Sequence, residues 1–327
     1  MFLHSRLVQN EALTAGGAVR SDDLPVNPLT AILITLLGQN DAINVQASWA
    51  NIMADLSRVE VLYKGQSIIS GSLADLAAMY YHLTGHFPFL GRSSAEADEA
   101  NWFVTVPILF GPRPFDKRWC FPAVRRGELQ LQCTPGAAFT DQNDVQLQIE
   151  PIELLDAQPE RFLKYTTISK TPTAAGDHDV DLPLGNNIRG VQLFGTTVPV
   201  DGAVTTSIDQ LRMLVDNVEH GYAFTNWESL RGESAFYRDQ PWVGAELVSR
   251  LTGGAPAAND DSRAVESPTS FLRQYAYLQY APFDLDDYLL KTGGKGRVHL
   301  RITAGDTGAI RVMPVEEIPV QGGATPA

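Results

Sequence analysis

The chain has 327 residues, 44% of them hydrophobic and 19% charged, with a net charge of -13. That composition is globular and long enough for two cores, and its acidity excludes the positive field that grips nucleic acid, so no direct sequence-specific nucleic-acid binding is expected. No apolar run reaches 18 residues, so no membrane span is expected, and the N-terminus MFLHSRLVQNEAL lacks the basic and long apolar regions of a secretory signal.

In chain order, residues 1–27 read as an arm: a short amphipathic piece, then Gly16-Gly17, then a polar stretch ending at Pro25 and Pro28. Strand signals follow at close spacing. Residues 30–37 and 58–63 are β-branched and aliphatic. Residues 102–106, 128–133 and 145–149 alternate apolar with polar, as a strand buried on one face must. Gln146 and Gln148 are expected to point outward. One helix is expected over 73–83. Ser72 can cap it, Leu73, Leu76, Ala77 and Tyr80 share a face, and Gly85 and Pro88 end it.

Past a boundary near 155–161 the pattern resumes at 165–169, 190–194, 211–215, 274–280, 298–302 and 310–313. The Gly-rich AGDTG between the last two reads as the turn of a hairpin. A weaker helix covers about 225–230 and runs on toward 235. Stretches 89–100, 172–181 and 253–268, rich in small and turn-forming residues, read as long loops, the last as exposed.

Two stretches occur twice. FVTVPILFGPRPFD from Phe103 and FLRQYAYLQYAPFD from Phe271 share Phe103/Phe271, Pro114/Pro282, Phe115/Phe283 and Asp116/Asp284 without a gap. After a one-residue insertion, GELQLQCT from Gly127 matches GRVHLRIT from Gly296. A period near half the chain marks a duplicated structural unit. Many short strands in halves of this size suit an eight-stranded jelly roll with elaborated loops. The expected fold class is therefore all-β, two tandem eight-stranded jelly rolls, each a β-sandwich with a short helix and long loops. The expected division is 1–27 arm, 28–157 first roll, 158–320 second roll and 321–327 tail.

The chemistry-bearing residues form no enzyme constellation. There is no phosphate loop, dinucleotide fingerprint, nucleophile elbow or Cys-x-x-Cys pair. His82 and His86 have helical metal-ligand spacing, but Gly85 breaks the helix between them. Asp177, Asp179 and Asp181 alternate in DHDVD; they read as a solvated acidic loop, with a calcium site left open. Asp116 and Asp284 are expected to cap the turn after Pro-Phe rather than catalyse, because both copies carry one. Lys117, Arg118, Arg125 and Arg126 read as scattered surface charge. Cys120 and Cys133 are expected to be reduced, half-buried thiols, a bridge between them left open. Trp49, Trp102, Trp119, Trp227 and Trp242 are expected in cores, and the sugar-stacking role they could otherwise play defines the alternative, a glycan-binding or glycan-cleaving double sandwich. No catalytic, cofactor-binding or metal residue is expected.

With VPILFG, RPFD and FPAVRRGELQLQ inside residues 101–133, and the tandem repeat around them, the chain resembles double jelly-roll major capsid proteins. The likeness is to those of tailless icosahedral bacteriophages with an internal membrane, of the corticovirus and Flavobacterium lipid-phage types. The resemblance implies a virion shell protein made in the host cytoplasm. It implies upright jelly rolls, three subunits per pseudo-hexagonal capsomer, and no catalysis. The implied partners are other copies, minor capsid or penton proteins, and the internal membrane through the N-terminal arm. That arm mixes Arg6 and Arg20 with Glu11, Asp22 and Asp23, which weakens attraction to anionic lipid.

Overall fold

The structure is a computed structural model and describes residues 1–41, 47–93, 99–198, 206–237 and 271–320. The chain divides into two compact units, Met1–Thr166 with the chain from Glu317 on, and Thr167–Glu316. The division falls at 166/167 rather than at 157/158. Glu317 belongs to the first unit through an ion pair with Arg161 at 3.3 Å, and Val320 N–H donates to the Glu160 carbonyl.

The first unit runs β1 (Phe2–His4), β2 (Val8–Ala12), β3 (Arg20–Asp23), β4 (Leu29–Asn40), α1 (Trp49–Ala54), β5 (Leu56–Tyr63), β6 (Gln66–Gly71), α2 (Leu73–Thr84), β7 (Phe89–Arg92), β8 (Asn101–Leu109), β9 (Leu129–Pro135), β10 (Gln142–Leu154) and β11 (Arg161–Thr166). One sheet has the order β1-β10-β4-β8-β7, with β2 also on β10. The other places β11-β6-β5-β9-β3 side by side. Ile32, Ile34 and Leu36 of β4, Val104 and Val106 of β8, and Leu147 and Ile149 of β10 are fully buried. So are Val59, Val61 and Leu131 of the second sheet. Each such side chain contributes about 1.5–3 kcal/mol. Gln146 and Gln148 stand half-exposed between buried neighbours, as the alternation requires.

Residues 1–27 are not a free arm. β1 and β2 pair with β10, and β3 pairs with β9. Their side chains are mostly exposed, so no apolar alternation announces them.

Helix α2 forms as its caps dictate. The Ser72 hydroxyl accepts from Asp75 N–H at 3.1 Å, and the Asp75 carboxylate accepts from Ser72 N–H at 3.2 Å, a reciprocal capping box. Gly85 closes it with φ 77°, a left-handed value that disfavours a side chain. Tyr80 and Leu83 pack on Ala31, Leu109 and Ile152.

The second unit runs β12 (Ile168–Lys170), β13 (Gly176–Asp181), β14 (Asn187–Gly195), β15 (Gln210–Val215), β16 (Val218–Glu219), β17 (Thr225–Asn226), α3 (Trp227–Tyr237), β18 (Tyr275–Gln279), β19 (Leu290–Lys291), β20 (Val298–Ala304) and β21 (Ile310–Pro319), the end of β21 from Glu317 on belonging to the first unit. One layer has the order β18-β14-β21, with β12 on β21 and β19 on β14. The other is β13-β20-β15-β16, with β17 on β15. Val191, Leu193, Met213, Leu278, Leu300, Ile302 and Val312 share one core with Trp227 and Leu230 of α3.

The two units repeat one plan. β3-β9-β5-β6 corresponds to β13-β20-β15-β16, and β10-β4-β8 to β21-β14-β18. The repeated Gly-x-Leu stretches are β9 and β20. The repeated Pro-Phe-Asp follows β8 and β18. A helix sits at the same point of each plan, α2 after β6 and α3 after β17.

The expected hairpin at AGDTG does not form. β20 and β21 flank AGDTG, yet they lie in different sheets and are not a hairpin. Both strands are apolar enough to be covered, β20 against β13 and β15, β21 in the opposite layer. The turn between them is held elsewhere: Thr196 N–H donates to the Ala309 carbonyl, and Asp306 caps Gly308 N–H at 2.7 Å.

Candidate assembly surfaces

The repeated Pro-Phe-Asp turns present the same side chain in both units. Phe115 has φ 64° and Phe283 φ 52°, left-handed values that swing each ring out of its strand line. Phe115 is 50% exposed and Phe283 68%. Beside Phe115 stands the exposed Phe2, edge-on with ring centroids 5.5 Å apart. Leu285 and Tyr288 are exposed close to Phe283 in sequence. A third apolar place lies at β7, an edge of its sheet, where Phe89 and Phe103 are exposed 5.5 Å apart. Exposed aromatic groups on sheet ends and edges make these places candidate contact surfaces.

The Asp of each turn has a different partner. Asp116 accepts from Arg118 N–H at 2.9 Å, the expected turn cap. Asp284 instead meets the buried guanidinium of Arg189 at 3.0 Å, and Asp286 meets the same group at 3.1 Å. Burying a guanidinium requires such paired acceptors. The second Asp therefore anchors a buried cation.

Asp177, Asp179 and Asp181 lie on β13, not in a loop. Three guanidinium groups cover them. Arg301 donates to Asp179 at 2.6 and 2.9 Å, Arg297 to Asp181 at 2.6 Å, and Arg212 to Asp177 at 3.3 Å. Thr303 adds a hydroxyl to Asp177 at 2.7 Å. The hydrogen bonds from Arg301 hold the Asp179 carboxyl below its usual range. The carboxylates left open for calcium thus face arginines already.

Cys120 and Cys133 are both buried and unbonded, and burial pushes each thiol up to about 12, so neither is a thiolate at neutral pH. His82 is buried in α2 while His86 is exposed beyond its end, and no metal-holding cluster occurs among the described residues. Trp49, Trp102, Trp119 and Trp227 are buried, so they are not available to stack sugars; Trp242 lies outside the described residues. Lys117 pairs with Asp156 at 2.6 Å and Arg118 with Glu160 at 3.9 Å, so half of the basic group is matched by acids. No helix of the described residues is long and apolar enough to cross a membrane.

No family model matches the sequence, and no curated protein matches it. Solved structures do. The MCP of Sulfolobus Turreted Icosahedral Virus matches with a TM-score of 0.67 at 12% identity, over 98% of this chain and 97% of that one. The major capsid protein of Bacteriophage PM2 matches with a TM-score of 0.60 at 10% identity, over 98% of each. The PBCV-1 virus capsid matches with a TM-score of 0.59 at 10% identity, over 97% and 93%. The chain has the double jelly-roll fold. At such identities the likeness is one of fold.

Proposed function

We propose that this chain is a major capsid protein, a structural subunit that assembles with copies of itself into trimeric, pseudo-hexagonal capsomers of an icosahedral shell. The virus type that fits is the tailless, internal-membrane phage. The observation that carries the reading is the end-to-end match, over nearly the whole of both chains, to capsid proteins that share the tandem plan. The repeated exposed Phe115 and Phe283 support it, because two equivalent contacts per subunit become six around a threefold axis, and closed rings are the stable solution for repeated contacts. On this reading the chain works in the virion and catalyses nothing. Its further partners are minor or penton proteins, and the membrane if any of residues 1–27 reaches it.

Sedimentation of the purified chain at micromolar concentration tests this. A trimer is expected, each contact burying well over about 1,000 Å². Monomer alone at that concentration overturns the capsomer reading.

A further inference from the structure

The second jelly roll contains a cleft of about 710 Å³ between α3, the loop before β17 and the turns after β18. Its wall combines aromatic rings with unpaired cations. Tyr222 and Tyr280 meet edge-on, with centroids 5.6 Å apart, and Tyr288 is 61% exposed at the rim. Tyr222 Oη donates to the Glu233 carboxylate at 3.1 Å and accepts from Gln279 N–H at 2.8 Å, which fixes that ring. Tyr280 is only 4% exposed, and its hydroxyl has no hydrogen-bond partner. Burial raises its pKa, so it remains a donor at any physiological pH. Lys291 and Lys295 line the same cleft, both exposed, and among the described residues neither ammonium has an ion-pair partner.

A buried polar group without a partner costs stability unless something completes it. Here a ligand hydroxyl can. The flat tyrosine faces suit the apolar face of a sugar ring, Glu233 can accept from sugar hydroxyls, and the two lysines suit a carboxylate. An acyl chain fits poorly, because Glu233, Gln279 and Asp287 would then face methylenes. We propose that this cleft binds a carbohydrate bearing a carboxylate, with Lys291 and Lys295 holding the charge and Tyr222, Tyr280 and Tyr288 the ring. The site is internal to the second roll and does not depend on shell assembly, so binding can fail while trimers form, or hold while they do not.

The test is NMR titration of the full chain with methyl glucuronide and with methyl glucoside, its neutral counterpart. The glucuronide is expected to bind about tenfold or more tightly at low salt, an advantage lost at high salt by screening. A K291A/K295A double variant, which changes two exposed side chains and should melt like the parent, is expected to bind both sugars equally. Equal affinity in the parent overturns the proposal, as does a glucuronide preference that survives in the double variant. Absence of binding by either sugar overturns it too, because the cleft is then closed to ligands. Displacement of the glucuronide by decanoate at lower concentration would overturn it in favour of an acyl ligand.

Discussion

At the scale of single residues, Asp55 is the least comfortable group in the first unit. It is fully buried at the end of α1, and desolvation pushes its carboxyl up to about 8 despite a hydrogen bond from Gln142. Its second oxygen and the Gln142 amide oxygen both lack a partner, a pair of acceptors that one shared proton would satisfy. Between about pH 4 and pH 8 the folded chain therefore keeps a proton that the unfolded chain has released. Stability falls as pH rises across that window and levels off above it. Asp55→Asn supplies a permanent N–H. It is expected to flatten this slope and to raise the melting temperature at pH 8 by about 2 °C or more. Thermal melts of both chains from pH 5 to 9 check this, and parallel curves would refute the assignment. Asp116 and Asp284 separate in the same way. Asp116→Ala should cost about 0.5–2 kcal/mol, as a lost cap does. Asp284→Ala leaves Asp286 on Arg189 and should cost less than removing both acids, which takes two acceptors from a buried guanidinium. Denaturant titrations of the three variants measure this. The Asp repeat was legible in sequence as structural. That the two copies differ was not, because Arg189 lies almost a hundred residues from the acids it meets.

At the scale of elements, some local signals hold and others do not: residues 89–92, inside an expected loop, form β7, and the expected strand 165–169 falls across β11 and β12. Alternation located the core strands, and Ser72 and Gly85 bracketed α2, because both signals depend only on neighbours in sequence. Four kinds of feature escaped. β1 and β2 carry few buried side chains, so their pairing with β10 leaves no pattern. α1 is six residues with a Ser48 cap and no full amphipathic turn to detect. β20 and β21 look like a hairpin, and only the coverage available on each side of the sandwich decides that they part. β13 was hidden by its acids, which look like a loop until the opposite arginines are known. That ladder makes a prediction. With Arg212, Arg297 and Arg301 already on the three aspartates, millimolar calcium or a chelator should leave the melting temperature unchanged, while Asp179→Asn lowers it. Asp179 has a depressed pKa, so its contribution is present above about pH 4 and is lost as pH falls further. A calcium-dependent rise in melting temperature that Asp179→Asn abolishes would show a metal site instead.

At the scale of the whole molecule, duplication explains both the fold and the surface. The same sequence turn, used twice, exposes Phe115 and Phe283, so on the proposed reading one apolar contact is available in two copies. Against this stands a net charge of -13 on every subunit. Like charges oppose association only out to about the Debye length, which shrinks from about 30 Å at 0.01 M salt to about 3 Å at 1 M. Apolar contacts are not screened. Raising the salt at fixed protein concentration should therefore increase the mass of assemblies seen by light scattering. A Phe115→Ser, Phe283→Ser double variant should melt like the parent, because both rings are exposed, and show little of that increase. Assemblies that shrink as salt rises would mean that opposite charges, not these rings, hold the subunits together. Such a result would move the search for the contact from the Pro-Phe-Asp turns to the charged faces of the sheets.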